Sequence, residues 1–111
     1  MSEAFQVRVT RASGVIVLDV HGELDAGTAV AVEDAAEGAA LFNADVVIVD
    51  TSALTFVDSA GRRAIDHACR RADAIFVPGR VVERFDRLVA RALLRGDRVP
   101  SFGFGVDKRV A

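Results

Sequence analysis

Thr55-Phe56-Val57-Asp58-Ser59-Ala60-Gly61 joins two patterns of different period. Upstream, Asp45-Val46-Val47-Ile48-Val49-Asp50 is a short apolar run of the kind buried in a sheet, and Thr51-Ser52-Ala53-Leu54 reads as a turn after it. Downstream, Ala60, Ala64, Ile65, Ala68, Cys69 and Ala72 share one helical face, while Arg62, Arg63, Asp66, His67, Arg70 and Arg71 fall on the other. The stretch is thus a strand-to-helix junction. Asp58 or Ser59 stands where a first helical turn leaves its amides unpaired, and either side chain can accept a hydrogen bond there. The same amides, with the positive end of the helix dipole, also favour a phosphate. Ser59 is open to three readings: a cap, a phosphoacceptor, or each in turn.

Working outward, Phe5-Gln6-Val7-Arg8-Val9-Thr10 alternates apolar and polar, the period of a strand at or near a sheet edge. Ala12-Ser13-Gly14 has the composition of a tight turn, and Val15-Ile16-Val17-Leu18-Asp19-Val20 is apolar on both faces until Asp19, which predicts a hairpin with a central second strand. Gly22-Glu23-Leu24-Asp25 breaks the strand period, with Asp25 placed to cap a helix over 26–41. Beyond the junction helix, Ala74-Ile75-Phe76-Val77 predicts a fourth strand ended by Pro78-Gly79. An amphipathic helix over about 81–94 follows, burying Val82, Phe85, Leu88, Val89, Ala92 and Leu93 and ending at Gly96. The remaining tail alternates apolar with small residues and reads as an edge strand or an arm. The order predicts one α/β domain over 1–111, with a core at about 5–94 and an arm or edge strand at 95–111. Its sheet is mixed and four- to five-stranded, with helices mainly on one side and right-handed parallel crossovers. Asp58 and Ser59 then sit at the carboxyl ends of the parallel strands, where such sheets carry function.

Composition excludes several classes. The 111 residues are 51% hydrophobic and 27% charged with a net charge of -2, as in an ordinary globular domain, so no electrostatic case for nucleic acid arises. Lys108 is the only lysine among the basic residues, and arginine favours a few bidentate pairings over a diffuse basic surface. Cys69 stands alone and reads as a small buried hydrophobe; with His21 and His67 it forms no metal-ligand spacing. The N-terminal residues carry no leader pattern and no run is apolar enough to span a bilayer, so a cytoplasmic location is expected.

Catalysis fares no better. Ser59 would need a base, yet His67 lies about 12 Å along the same helix, beyond hydrogen-bond reach. The Gly-x-Ser-x-Gly elbow is missing because position 57 is valine. A phosphate-cradling loop would need several glycines next to Lys-Ser or Lys-Thr, whereas Gly61 stands alone with Arg62 after it. No enzyme activity, cofactor or metal is expected. The arginines of the junction helix read as a solvated face or a patch for an acidic partner.

With Gly22-Glu23-Leu24-Asp25 after the second strand and Asp58-Ser59-Ala60-Gly61 after the third, the chain resembles the STAS domain of anti-sigma factor antagonists over about 5–94. The resemblance implies a protein-binding switch. The serine matching Ser59 is phosphorylated by a partner that is both serine kinase and anti-sigma factor; the unphosphorylated domain binds it, phosphorylation releases it, and a cognate phosphatase resets the switch. On this basis Asp25, Thr55, Asp58, Ser59 and Arg62 are the expected partner-binding residues, in a monomer or weak dimer that touches neither nucleic acid nor membrane directly. Arg62-Arg63 stands where the family commonly has an apolar residue, and the segment after Ser59 is short and lacks the usual glycine turn. Some members are instead scaffolds or accessory subunits of signalling or membrane-transporter complexes, which is the alternative expectation.

Overall fold

The computed structural model of this chain describes residues 5–96 and 104–105. Strands β1 (Gln6–Ala12) and β2 (Val15–Leu24) form an antiparallel hairpin. Ser13 at φ 50° and Gly14 at φ 81° turn it, the paired positive angles that match the twist of a two-residue hairpin. Helix α1 (Ala29–Leu41) leads to β3 (Val46–Val57), parallel to β2, and α2 (Ser59–Ala72) leads to β4 (Ile75–Val77), parallel to β3. Helix α3 (Arg80–Leu94) follows, and β5 (Phe104–Gly105) pairs antiparallel with Phe56 and Val57. The order β1-β2-β3-β4, with β5 beside β3, puts β1 at an edge and β2 inside, as expected. Of the C-terminal tail, 95–96 close α3 and 104–105 form a strand; the rest of that expectation lies outside the described residues.

Three boundaries differ from the sequence reading. β2 continues through Leu24 instead of ending at Val20. α1 starts at Ala29, because 25–28 form a separate turn. β3 continues through the expected turn at Thr51-Ser52-Ala53-Leu54 to Val57. The last difference has a clear cause. β3 gains one residue on β2 between the pairs Asp19–Asp50 and His21–Ala53, and another between Gly22–Leu54 and Glu23–Phe56. Each extra residue is a bulge that breaks the two-residue period without ending the strand.

The bulges also keep the core in register. Val47, Val49, Thr51, Leu54 and Val57 of β3 are all buried, as are Ile16, Leu18, Val20 and Leu24 of β2. Against this one face pack Val32, Ala36 and Ala39 of α1, Ala64, Ile65 and Ala68 of α2, and Val81, Val82 and Phe85 of α3. Alanines on α1 and α2 let both helices lie close to the sheet. The opposite face keeps Val17 and Ile48 only half-buried and Ile75 57% exposed. All three helices therefore lie on one side. Leu93, expected in the core, is 60% exposed; it lies about 100° round the helix from Ala92, and only Ala92 points inward in that last turn.

Candidate functional site

Asp58 is the residue that caps α2. It sits in extended conformation before Ser59, and its Oδ1 accepts the Gly61 N–H at 2.7 Å. Its carbonyl accepts the Arg62 N–H at 2.8 Å, and its own N–H donates to the Leu24 carbonyl at 3.2 Å. Ser59 is thereby left as the first helical residue, half-buried and not the cap. It stands in the first helical turn, at the positive end of the helix dipole.

Gly61 explains why the two sequence elements occur together. A Cβ at Gly61 would lie 2.5 Å from the Leu24 carbonyl oxygen and 2.8 Å from Leu24 Cγ. The first turn of α2 thus rests directly on the end of β2. The close approach brings Asp25, one residue beyond Leu24, to the same edge of the sheet as Asp58 and Ser59.

Asp25 and Thr28 lock the intervening turn reciprocally. Asp25 Oδ1 accepts from the N–H groups of Gly27 (2.9 Å) and Thr28 (3.1 Å), while Thr28 Oγ1 accepts the Asp25 N–H at 3.0 Å. Thr28 Oγ1 also lies 3.0 Å from the Glu23 carbonyl, to which it can donate. Asp25 therefore holds the loop in shape ahead of α1. Thr55 sits in the second bulge, between Leu54 opposite Gly22 and Phe56 opposite Glu23, and is half-buried. A bulge at such a place re-aims the side chains beside it.

Arg62 is not the outward-facing arginine that the helical pattern predicts. Its Nε and Nη2 donate to the two carboxylate oxygens of Asp86 on α3 at 2.9 and 3.2 Å, and its Nη1 donates to Asp66 at 2.6 Å. The guanidinium lies 5.1 Å from the centre of the Phe76 ring, within cation–π range. Its side chain is only 18% exposed. Burial works to lower its pKa, but the hydrogen bonds and charges of Asp86 and Asp66 outweigh that and raise it. Asp25, Thr55, Asp58 and Ser59 lie at one edge of the sheet, whereas Arg62 turns from that edge toward α3.

The other arginines of α2 divide as well. Arg71 pairs side-on with Glu37 of α1 at 2.9 Å through both Nε and Nη2, and the bond holds the Glu37 carboxyl below its usual range. Arg63 and Arg70 line a groove of about 480 Å³ between α1 and α2, with Ala26, Val30, Glu33 and His67. Among the described residues, neither of these two arginines has an ion-pair partner. The expected single basic face is really two structural clamps and one open wall. Thr28, Glu37 and Asp86 were missed by sequence reading. Thr28 had a local signal, a hydroxyl three residues after Asp25; Glu37 and Asp86 had none, being contacts between helices.

No group of histidine, cysteine and carboxylate side chains among the described residues is arranged to hold a metal ion. No helix among them is long and apolar enough to cross a membrane. Cys69 is half-buried, less than expected, and burial is the main cause that pushes its thiol above the usual value. Such a thiol is a poor nucleophile at neutral pH.

A family model described as STAS domain matches residues 6–89. An anti-sigma factor antagonist from Mycobacterium paratuberculosis has a similar structure, with a TM-score of 0.67 at 24% identity over 85% of this chain and 86% of that one. The anti-sigma factor antagonist SpoIIAA in its unphosphorylated form gives a TM-score of 0.51 at 18% identity over 77% of this chain and 97% of that one. At these identities the likeness concerns the fold. No curated protein matches the sequence.

Proposed function

The chain belongs to the STAS domain family, and from that premise we propose that it is an anti-sigma factor antagonist switched by phosphorylation of Ser59. The observation that carries the proposal is the placement of Ser59. It is the first residue of α2, set by the Asp58 cap and by the contact of Gly61 with Leu24. Two proteins of similar fold are anti-sigma factor antagonists, which supports the reading. The protein acts in the cytoplasm by binding and not by catalysis, and regulates transcription through its partner. Residues 1–111 work as one domain.

In this reading the unmodified edge formed by Asp25, Thr55, Asp58 and Ser59, with Arg62 on its α3 flank, docks a serine kinase that is also the anti-sigma factor. The kinase transfers the γ-phosphoryl group of ATP to Ser59 Oγ, the hydroxyl proton passes to a base of the kinase, and ADP leaves. Ser59 then carries a charge of roughly -1.5 to -2 next to the Asp58 carboxylate. An interface fitted to a neutral hydroxyl meets like-charge repulsion and desolvation worth several kcal/mol, on the order of 100-fold or more in affinity. A phosphatase returns serine and inorganic phosphate.

Pull-downs from the native cytoplasm with wild type and Ser59→Asp in parallel test the reading. A kinase retained by wild type and lost from the variant is the expected result. Equal retention of the same partner by the two proteins would sink the switch and assign the chain to the scaffold or accessory-subunit group of its family.

A further inference from the structure

We infer that Arg62 couples the Ser59 turn to α3: a phosphate on Ser59 draws the guanidinium from Asp86 and loosens α3 over the end of β3. The inference rests on the reading of Ser59 as a phosphoacceptor and adds what that phosphate does within the molecule. Ser59 and Arg62 are three residues apart on α2, so their side chains are neighbours on the helix surface. Arg62 is the bidentate ionic link between α2 and α3, closing on Asp86 at 2.9 and 3.2 Å.

The competition favours the phosphate. Asp86 offers one negative charge, and its side chain is 46% exposed, which screens the pair. A phosphoserine offers nearly twice that charge and three acceptor oxygens from the same helix, one turn away. Arginine takes either group in a forked geometry, so the exchange costs it no bonding pattern. α3 then keeps its apolar packing by Val81, Val82, Phe85 and Ala92 and the hydrogen bond from the Gly79 N–H to Thr51, but loses the Arg62–Asp86 tie.

The consequence reaches the surface beside the switch. α3 enters against β3, since a Cβ at Gly79 would lie 2.5 Å from Ser52 Cα and from the Thr51 carbonyl oxygen. Loosening α3 therefore alters the flank of the edge that Ser59 occupies. The modification acts twice, by charge at the turn and by mobility at its neighbour.

Hydrogen exchange on protein carrying phosphoserine installed at position 59 during translation tests the coupling without any kinase. Amides of α3 near Asp86 should exchange about 1.5- to fivefold faster than in unmodified protein, the range for losing one partly exposed ion pair. Unmodified Asp86→Asn should show that faster exchange already, and phosphoserine should add nothing to it. Arg63→Gln should keep the full response. Unchanged α3 exchange on phosphorylation, or a response abolished by Arg63→Gln, overturns the coupling while leaving the Ser59 switch intact. A response in α3 without any change in kinase binding upholds the coupling and instead refutes the proposed function.

Discussion

At the scale of single residues, the two helical glycines of the described chain carry opposite demands, although each looks like a weakness in a helix. Gly61 has the Leu24 carbonyl oxygen 2.5 Å from where a Cβ would stand, and that oxygen belongs to a strand that cannot yield. Gly61→Ala should therefore lower stability by about 1–3 kcal/mol, as overpacking does. Gly38, inside α1, has nothing within 4 Å of the same point. Gly38→Ala should raise stability by about 0.4–1 kcal/mol, because the unfolded chain loses freedom and the folded helix meets no clash. Urea titration of both variants measures the pair; shifts of the same sign would show that the Leu24 contact is not what constrains Gly61. The sequence marked Gly61 through its motif, but the reason lies in Leu24, 37 positions away by subtraction of their numbers, and no local pattern carries that.

Among the elements, β3 was the hardest to read and is the most informative. Val46 through Asp50 alternate cleanly, so their strand was legible; at Thr51 the buried positions begin to fall three apart, and a period-two reading stops there. Thr51 shows what replaces the regular ladder. Its buried hydroxyl donates to the Val77 carbonyl at 2.9 Å and accepts the Gly79 N–H at 3.1 Å, joining the bulge to the end of β4 and the start of α3. Thr51→Val should cost about 1–3 kcal/mol in chemical denaturation, since it strands a buried amide and a carbonyl without altering shape. A loss below about 0.5 kcal/mol would mean that water reaches those groups. The end of α2 shows a different solution. The glycine turn absent from the sequence is replaced by Asp73 at φ 51°, whose N–H reaches the Arg70 carbonyl at 3.4 Å while Ala74 N–H reaches that of Cys69 at 2.9 Å. Asp73→Gly should stabilise the protein by about 0.5–1 kcal/mol, because glycine adopts that left-handed angle without strain. A lower melting temperature would instead reveal a role for the Asp73 side chain.

Over the whole molecule, one sheet face carries the helices and α2 stands between the other two, tied to α3 by Arg62–Asp86 and to α1 by Arg71–Glu37. Alternation and helical periodicity sufficed to predict this layering, because burial of apolar surface drives it and leaves its period in the sequence. The ties between helices were not legible, since charge pairs across separate helices have no period. They do have a pH signature. Glu37 titrates below its usual range chiefly through its hydrogen bond to Arg71, and then through that residue's charge. A carboxyl with a depressed folded-state pKa contributes stability above its unfolded pKa and loses it as pH falls through the folded value. Glu37→Gln should thus melt below wild type at pH 6–7, and the gap should close as pH falls below about 4, where the unfolded carboxyl is protonated and the folded one follows. Added salt should narrow the gap at neutral pH, because the pair lies at the surface. A gap that stays constant from pH 7 to pH 3 would locate the loss in the packing of the Glu37 side chain, and the tie between α1 and α2 would then rest on their apolar packing in the common core.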